Sequence, residues 1–436
     1  MRIYEETRMS TYFNDILLDK ISGDHESTTS VDVATNEKLK FNFHYSTVDE
    51  ALYNYSKQYF NAAVLIIKMI AEKSGRNDVT DQCPIGMLYF LRHSVELMLK
   101  ALIYKQNKNQ APEIFSNCKH ALTLLHNHVT YKFVCQSEID LMENYFAQID
   151  EIDSMGDLFR YPFDEDFLKK YHQKFFDFYD MFYVYALYYE YLHWEFTETP
   201  YIILDVDDIK VAKESRDSNN NSFIIEAPHG IGYFMIWETN NDHPSFNQIE
   251  GYQKIGKYLY HHVVNNPDDK SIQVPLMFAY RHLIEISMKN FSYKIHSHFK
   301  DEIEDLAQNN GRPSFKLYRD YMRCHELHKK LFDNVEACLK YLATQFNWSQ
   351  QEIDDYKARI EIIKNCDPKA EKFRYPINKG CQMFDYPIIY IDSFCKLCEQ
   401  CFEITDNCSY AFEDMEDWYL EMMSELYQEY GNSEWY

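Results

Sequence analysis

The chain has 436 residues, 46% of them hydrophobic and 26% charged, which is enough for two or three domains with hydrophobic cores. Its formal net charge of −25 repels nucleic acid at long range, so any RNA contact would need a local basic pocket. The 37 Tyr and 30 Phe residues, set against 11 Gly and 12 Pro, disfavour a turn-rich all-β fold and favour long helices packed through aromatic rings.

The sequence predicts neither a signal peptide nor a membrane span. Residues 1–15 lack an apolar segment, and the best apolar stretch, residues 62–71, is interrupted by Lys68. We therefore expect a cytoplasmic protein without a membrane partner, in which the 11 cysteines are reduced.

The predicted elements begin with a short β-hairpin at residues 31–43, where the residue character alternates, and a helix at residues 48–73. The next helix carries Leu-Arg-His-Ser-Val-Glu-Leu-Met-Leu-Lys at residues 91–100. After one or two further helices, a Phe-Arg-Tyr-Pro turn at residues 159–162 leads into an aromatic helix at residues 175–194.

The same landmarks then recur in the same order. A hairpin is predicted at residues 223–237 and a helix at residues 246–264, and residues 280–289 read Tyr-Arg-His-Leu-Ile-Glu-Ile-Ser-Met-Lys. A His-x-Leu motif follows each Arg-His helix, and Phe-Arg-Tyr-Pro is repeated at residues 373–376. This order indicates an internal duplication.

The sequence therefore predicts a mainly α-helical chain with two tandem helical bundles, each preceded by a short β-hairpin. The polar character of residues 213–221 predicts a linker between the two copies. The predicted boundaries are an N-terminal extension at residues 1–28, a first copy at 29–195, a linker at 196–222, a second copy at 223–408 and an acidic tail at 409–436.

The tail is amphipathic. Residues 412–436 contain no Lys or Arg, and their acidic residues alternate with apolar ones such as Trp418 and Leu426. One interpretation is a terminal helix that docks on its own body, and the other is a tail that binds a protein partner.

Each Arg-His helix places three charged side chains on one stripe. Arg92, Glu96 and Lys100 are one helical turn apart, with His93 at the edge of the stripe. The second copy has Arg281, His282, Glu285 and Lys289 at the matching positions. The stripe is either an ion-pair ladder on the flank of a bundle or a more specific site, which the identity of Arg-His in both copies favours.

Each Phe-Arg-Tyr-Pro turn presents an arginine, because proline keeps the preceding tyrosine out of the helical conformation. Arg160 and Arg374 could bind a phosphate or a carboxylate through two parallel hydrogen bonds. Alternatively they form internal ion pairs, for which the candidates are Glu96, Asp153, Glu285 and Asp367. Two clusters are expected: Arg92, His93, Glu96 and Arg160 in one, and Arg281, His282, Glu285 and Arg374 in the other.

A run of cysteines at Cys395, Cys398 and Cys401 has the spacing of a zinc or iron–sulfur site. The repeat favours another interpretation. Counted from the Phe-Arg-Tyr-Pro turns, Cys395 and Cys398 match the apolar Met181 and Val184 of the first copy, so we expect core positions of a helix and no metal.

These motifs resemble those of the HEPN superfamily of bacterial toxins and phage-defence proteins. The resemblance covers residues 49–194 and 247–407 and rests on the Arg-His helix, the His-x-Leu motif and the Phe-Arg-Tyr-Pro turn. It implies small helical bundles that pair two-fold, and an activity as a metal-independent endoribonuclease with an Arg-x(4–6)-His motif. Here that spacing occurs at Arg323 and His328, in the His-x-Leu region of the second copy, while the first copy has Cys118 and Thr123 instead.

The resemblance implies roles for the shared residues. His93 and His282 would transfer protons, and the phosphate and its transition state would be held by four arginines, Arg92, Arg160, Arg281 and Arg374. The remaining ladder residues would act in phosphate binding or ion pairing: Glu96, Glu285, Lys100 and Lys289. Secondary candidates are His120, His325, Arg323 and His328.

Two functions remain open at this point. The first is a HEPN-like phage-defence effector or toxin that acts on RNA, with no metal and no cofactor. The second is a non-catalytic nucleotide-sensing or scaffold protein of a defence system, in which oligomers or a protein partner on the tail would matter. The acidic charge also suggests a mimic of nucleic acid, although acidity alone mostly reports solubility.

Overall fold

A computed structural model describes most of the chain. The described residues are 39–41, 44–73, 77–161, 170–171, 174–200, 206–218, 224–225, 233–235, 246–309, 325, 327, 331–346 and 349–431. The predicted extension at residues 1–28, most of the first predicted hairpin, Pro162, Arg323 and His328 lie outside the described residues.

The described chain is mainly α-helical, as predicted. The helices are α1 (Val48–Glu72), α2 (Asn77–Thr80), α3 (Cys83–Asn107), α4 (Ala111–Cys118), α5 (Leu122–His126), α6 (Gln136–Asp153), α7 (Phe178–Thr197), α8 (Val206–Ser218), α9 (Phe246–Asn265), α10 (Gln273–Asn309), α11 (Phe332–Phe346), α12 (Gln350–Cys366) and α13 (Ile391–Gly431). The strands are β1 (Lys40–Phe41), β2 (Phe175–Asp177), β3 (Ile224–Ile225), β4 (Tyr233–Met235) and β5 (Ile389–Tyr390).

Local sequence explains where the helices begin. The Thr47 side chain accepts a hydrogen bond from the Glu50 amide at the start of α1, where acidic residues also face the positive end of the helix dipole. At α12, the Glu352 carboxylate accepts hydrogen bonds from the amide and the hydroxyl of Ser349. The predicted helices at residues 48–73 and 246–264 agree with α1 and α9 to within one residue.

The strand pairing differs from the predicted hairpins. β1 pairs antiparallel with β5, which follows the second Phe-Arg-Tyr-Pro turn. β3 and β4 do not pair with each other, since both flank β2 in the order β3-β2-β4. The described leading strands of each copy therefore pair with the strand after the turn of the other copy. This corrects the second hairpin prediction, while most of the first predicted hairpin lies outside the described residues.

The predicted linker is also corrected in part. Residues 206–218 form helix α8, which packs against α7, with Ala212 fully buried. Arg216 of α8 forms an ion pair with Glu138 of α6. This part of the chain belongs to the folded body because it supplies both an apolar contact and a charged one.

The chain divides into two compact units, which do not coincide with the two sequence copies. The larger unit contains residues 36–283 and 370–395. Its core is built on α3, in which every residue from Cys83 to Ile103 is buried. Helices α1, α7 and α9 pack against α3, so its polar residues are enclosed together with the apolar ones.

In the smaller unit, the described residues fall within 284–369 and 396–431. Helices α11 and α12 contact each other, and Glu336 of α11 pairs with Lys340 at 2.9 Å and with Lys357 of α12 at 3.6 Å. The Tyr356 hydroxyl and the Thr405 hydroxyl, 2.8 Å apart, connect α12 with α13 in the core.

The predicted acidic tail is the last part of α13 rather than a separate segment. Ala411 and Phe412 are buried, and Glu413 forms an ion pair with Lys294. Further along, Leu420 is 58% exposed. The first residues of the tail are therefore docked on the protein body, as the first interpretation of the tail expects. Further along, the tail exposes an apolar residue.

The cysteine run lies on α13 at core positions, as the repeat predicts. Cys395, Cys398 and Cys401 are fully buried and carry no disulfide. Among the described residues, no group of three or more His, Cys, Asp or Glu side chains is arranged to hold a metal ion. In the same part of the chain, no helix combines the length and the apolar character that crossing a membrane requires.

Candidate functional site

The centre of the larger unit is the buried carboxylate of Glu96 on α3. Its Oε2 atom accepts a hydrogen bond from Arg92 at 3.1 Å, and its Oε1 atom accepts one from Lys100 at 2.6 Å. Oε1 also contacts His120 Nδ1 at 3.0 Å and the Tyr375 hydroxyl at 2.9 Å. The predicted ladder of Arg92, Glu96 and Lys100 is confirmed, with two partners that helical spacing does not supply.

Glu96 is ionised in this environment. Burial acts to raise the pKa of its carboxyl, but the charge of Lys100 and the hydrogen bond from His120 outweigh burial and hold the pKa well below its usual range. A buried carboxylate with this many hydrogen-bonded cations is stable as an ion.

Arg92 connects helix α3 with the end of helix α6 and with the loop before helix α5. Its Nη2 atom donates to the carbonyls of His120 at 2.8 Å and Asp153 at 2.9 Å. Its Nε atom is 3.2 Å from the Asp153 carboxylate, an ion pair without hydrogen-bond geometry. Gly156 fits against this guanidinium with a φ of +69°, since a Cβ atom there would lie 2.8 Å from Arg92 Nη1. Arg92 therefore has a structural role.

His93 is sealed in the core at 2% exposure. Its ring stacks on Tyr89, with the centroids 5.3 Å apart, and meets the edge-on ring of Tyr59 at 4.6 Å. His93 Nε2 is 2.8 Å from the carbonyl of Arg374, and because a carbonyl only accepts, Nε2 carries the hydrogen. Burial lowers the pKa of His93 to about 3, so the ring is neutral.

His282 has the same environment in the second copy. It is 2% exposed, stacks on Phe278 with the centroids 5.3 Å apart, and has its Nε2 atom 2.6 Å from the carbonyl of Arg160. Arg281 beside it is buried on α10. Sealed imidazoles whose Nε2 hydrogens are committed to carbonyls are not placed to exchange protons with a substrate. The expected proton-transfer role of His93 and His282 is therefore withdrawn.

The contacts of these histidines are exchanged between the copies. His93 of the first copy binds the turn of the second, and His282 of the second binds the turn of the first. The Tyr59 hydroxyl donates to the Phe373 carbonyl at 2.9 Å, and the Tyr252 hydroxyl donates to the Phe159 carbonyl at 3.1 Å. We call these four hydrogen bonds the exchanged clasp, and sequence reasoning missed them.

The turn arginines do not form the predicted ion pairs with Glu96 or Asp153. Arg160 pairs with Asp157 and donates from Nε to the Gly156 carbonyl at 3.2 Å. Arg374 donates from Nε to the Ala370 carbonyl at 2.6 Å. No carboxylate lies within ion-pair distance of Arg374 in the part of the chain that the structure describes, so the alternative of an internal ion pair fails for this arginine.

His120 is the imidazole of the larger unit that reaches solvent beside Glu96, with 30% of its side chain exposed. Because the Glu96 carboxylate only accepts, His120 Nδ1 carries the hydrogen in that contact and Nε2 is the basic nitrogen. Nε2 has no hydrogen-bond partner among the described residues. Lys100 lies near, with Nζ 4.8 Å from the centroid of the Tyr375 ring. His120, Glu96, Lys100 and Tyr375 form the His120 centre.

The smaller unit contains a matching group. Glu285, 1% exposed, contacts Lys289 Nζ at 2.8 Å and His325 Nδ1 at 2.9 Å, and the His325 side chain is 34% exposed. We call Glu285, Lys289 and His325 the His325 centre. The secondary candidates His120 and His325 are thus the ones that both copies hold against a buried glutamate.

Comparisons with known protein families, with curated proteins and with solved structures find no match. Function is therefore inferred from the geometry of the two centres and from the motifs in the sequence.

Proposed function

We propose that this chain is a HEPN-like effector of the toxin or phage-defence type that cleaves RNA by acid–base chemistry at the His120 and His325 centres. The observation that carries the proposal is a half-exposed imidazole, oriented through Nδ1 by a buried carboxylate, in both copies. Imidazole both accepts and donates protons near neutral pH, and a carboxylate behind it fixes its tautomer and stabilises its protonated form.

The chemistry assigned to His120 is proton transfer in RNA cleavage. The ribose 2′-oxygen attacks the adjacent phosphorus and gives its proton to Nε2 of His120, while the bond from phosphorus to the 5′-oxygen breaks and that oxygen takes up a proton from a solvent water molecule. The products are a 2′,3′-cyclic phosphate and a 5′-hydroxyl end. Glu96 stabilises the imidazolium that forms, and Lys100 adds positive charge beside it.

The test is the cleavage of end-labelled single-stranded RNA by purified protein. We expect cleavage by the wild type, and a rate at least about 100-fold lower for a double variant, His120→Ala with His325→Ala. His128→Ala, at an exposed histidine just after helix α5, is the matched control and should cleave at the wild-type rate. Cleavage by the double variant at the wild-type rate would refute the assignment of both centres.

A second function is favoured by the exchanged clasp. Its four hydrogen bonds connect the two copies, which is a structural role expected of a non-catalytic nucleotide-sensing or scaffold protein. If the wild type binds RNA or nucleotides without cleaving RNA under any condition tested, this function replaces the first.

A further inference from the structure

The Arg374 guanidinium has no carboxylate within ion-pair distance among the described residues. It is half-buried, its Nε hydrogen is bound by the Ala370 carbonyl, and its Cζ atom lies 5.6 Å from the centroid of the Tyr375 ring. A cation withdrawn from water without an anion is costly, and an arginine in this position usually has a carboxylate or phosphate partner.

A second guanidinium adds to this positive charge. The Cζ atom of Arg160 lies 5.8 Å from the Tyr89 ring centroid and 4.9 Å from that of Tyr161. Arg160 and Arg374 repel each other electrostatically. With Asp157 neutralising one of them, the pair keeps a net charge of one positive unit, which matches the single negative charge of a phosphodiester.

The Tyr89 hydroxyl is an unpartnered polar group at this place. Tyr89 is 3% exposed, and its hydroxyl has no hydrogen-bond partner among the described residues. Burial raises the pKa of Tyr89 to about 12, and the charges of both Arg160 and Arg374 act against that rise, which puts both cations near the hydroxyl. A buried hydroxyl left unpaired calls for an explanation, and a ligand oxygen supplies one.

The residue at the position of Tyr89 differs between the two copies. Phe278 occupies the position of Tyr89 in the second copy and stacks on Tyr89, with the centroids 4.9 Å apart. Phenylalanine has no hydroxyl, so the second copy has no counterpart of the Tyr89 hydroxyl. Arg374 itself is partly exposed, which gives a ligand access to its guanidinium group.

We propose that Arg160, Arg374 and Tyr89 form one phosphate-binding site per chain, separate from the His120 and His325 centres. A phosphate group seated there would bridge the two guanidinium groups and accept a hydrogen bond from the Tyr89 hydroxyl. The phosphate belongs either to a free nucleotide or to an RNA backbone. The site is independent of RNA cleavage, because no part of it lies in either acid–base centre.

The test is equilibrium binding to the full-length protein by calorimetry, with inorganic phosphate, adenosine monophosphate and a 2′-O-methyl RNA octamer that cannot be cleaved through its 2′-oxygen. We expect binding that weakens at least about 10-fold in Arg374→Gln and about 3-fold or more in Tyr89→Phe. Lys379→Gln, which removes an exposed positive charge five positions along the chain, is the control and should change the affinity less than 2-fold. The ligand that binds tightest identifies the source of the phosphate.

Thermal unfolding separates a lost site from a lost fold. Removal of an uncompensated charge should leave the melting temperature of Arg374→Gln at or above that of the wild type, and the ligand that binds should raise the melting temperature of the wild type more than that of Arg374→Gln. His120→Ala should bind as the wild type does, so failure of the proposed cleavage leaves this result intact. Equal weakening by Arg374→Gln and Lys379→Gln, or no binding by the wild type at millimolar ligand, would overturn the site.

Discussion

The two Phe-Arg-Tyr-Pro turns share a backbone and differ in charge. Gly156 and Ala370, each three residues before the phenylalanine, both have positive φ, +69° and +55°, and both accept a hydrogen bond from the turn arginine. Yet Arg160 has a carboxylate partner in Asp157, and Arg374 has none among the described residues. The duplication has kept the shape of the turn and the exchanged clasp, while the ion pair belongs to one copy.

This difference indicates which contacts the fold requires. Both turns offer the arginine carbonyl to a buried histidine and the phenylalanine carbonyl to a buried tyrosine. Those backbone contacts depend on the turn conformation and not on the arginine charge. The charges of the arginine side chains are therefore not needed for these contacts and are available to bind a ligand.

The largest effect is expected where the first turn meets Arg92. Gly156→Ala should lower the free energy of unfolding by about 3 kcal/mol, the sum of a left-handed alanine and a disturbed hydrogen bond of a buried charge. Arg92 cannot move aside freely, since its guanidinium is held by Glu96 and Asp153. Urea denaturation measures the loss.

Gly380→Ala, in an exposed turn without positive φ, is the control and should cost far less. A loss of under about 1 kcal/mol in Gly156→Ala would mean that the turn adapts, and that its fit against Arg92 is not a requirement.

A smaller effect depends on pH and tests the clasp. The pKa of His93 is about 3 in the folded chain and near 6.5 when unfolded, so the unfolded state binds more protons below pH 6.5. Stability is therefore fully present above pH 6.5 and falls as the pH drops toward 3. Between pH 7 and pH 5, His93 should account for a loss of about 2 kcal/mol.

His93→Gln removes the titrating group and keeps a donor for the Arg374 carbonyl, so its stability should fall less over that pH range. His126 and His193, whose pKa values burial lowers to about 4, act in the same direction in both proteins, and the difference between the two proteins isolates His93. His128→Gln serves as the control. An unchanged loss in His93→Gln would show that His93 is not the buried neutral group described here.

The sequence predicts the contacts within one helix, but it does not predict the contacts that are exchanged between the two copies. Helical spacing was sufficient for the Arg92, Glu96 and Lys100 ladder, because such contacts lie one turn apart. It could not show which turn each histidine binds, because two nearly identical turns fit His93 equally well. The same ambiguity explains the hairpins, since two- and three-residue strands carry too little pattern to fix their partners.

The sequence predicts the residues of the candidate site, but it does not predict which of its histidines is accessible for proton transfer. His93 and His282 lie at matching positions of the two Arg-His helices, and the structure buries them both. His120 lies in the weaker His-x-Leu match, yet it reaches solvent beside Glu96. Tyr375 was regarded only as the residue before proline, although its hydroxyl reaches Glu96. In this chain, the histidines that match best between the two copies are buried by packing, and the histidines suited to proton transfer match less well.

The smallest effect should have the opposite sign and applies to the second turn. Ala370 occupies a left-handed conformation that L residues with a Cβ atom adopt at a cost of about 1–2 kcal/mol. Ala370→Gly removes that strain and adds flexibility to the unfolded chain, so we expect a net gain of about 1 kcal/mol. Ala358→Gly, at an exposed position of α12, should instead cost about 1 kcal/mol, because glycine is a poor helix former. Urea denaturation of both variants compares one substitution in two conformations. A loss of stability in both would mean that the second turn does not store the strain that Gly156 avoids in the first, and the two turns would then differ in backbone as well as in charge.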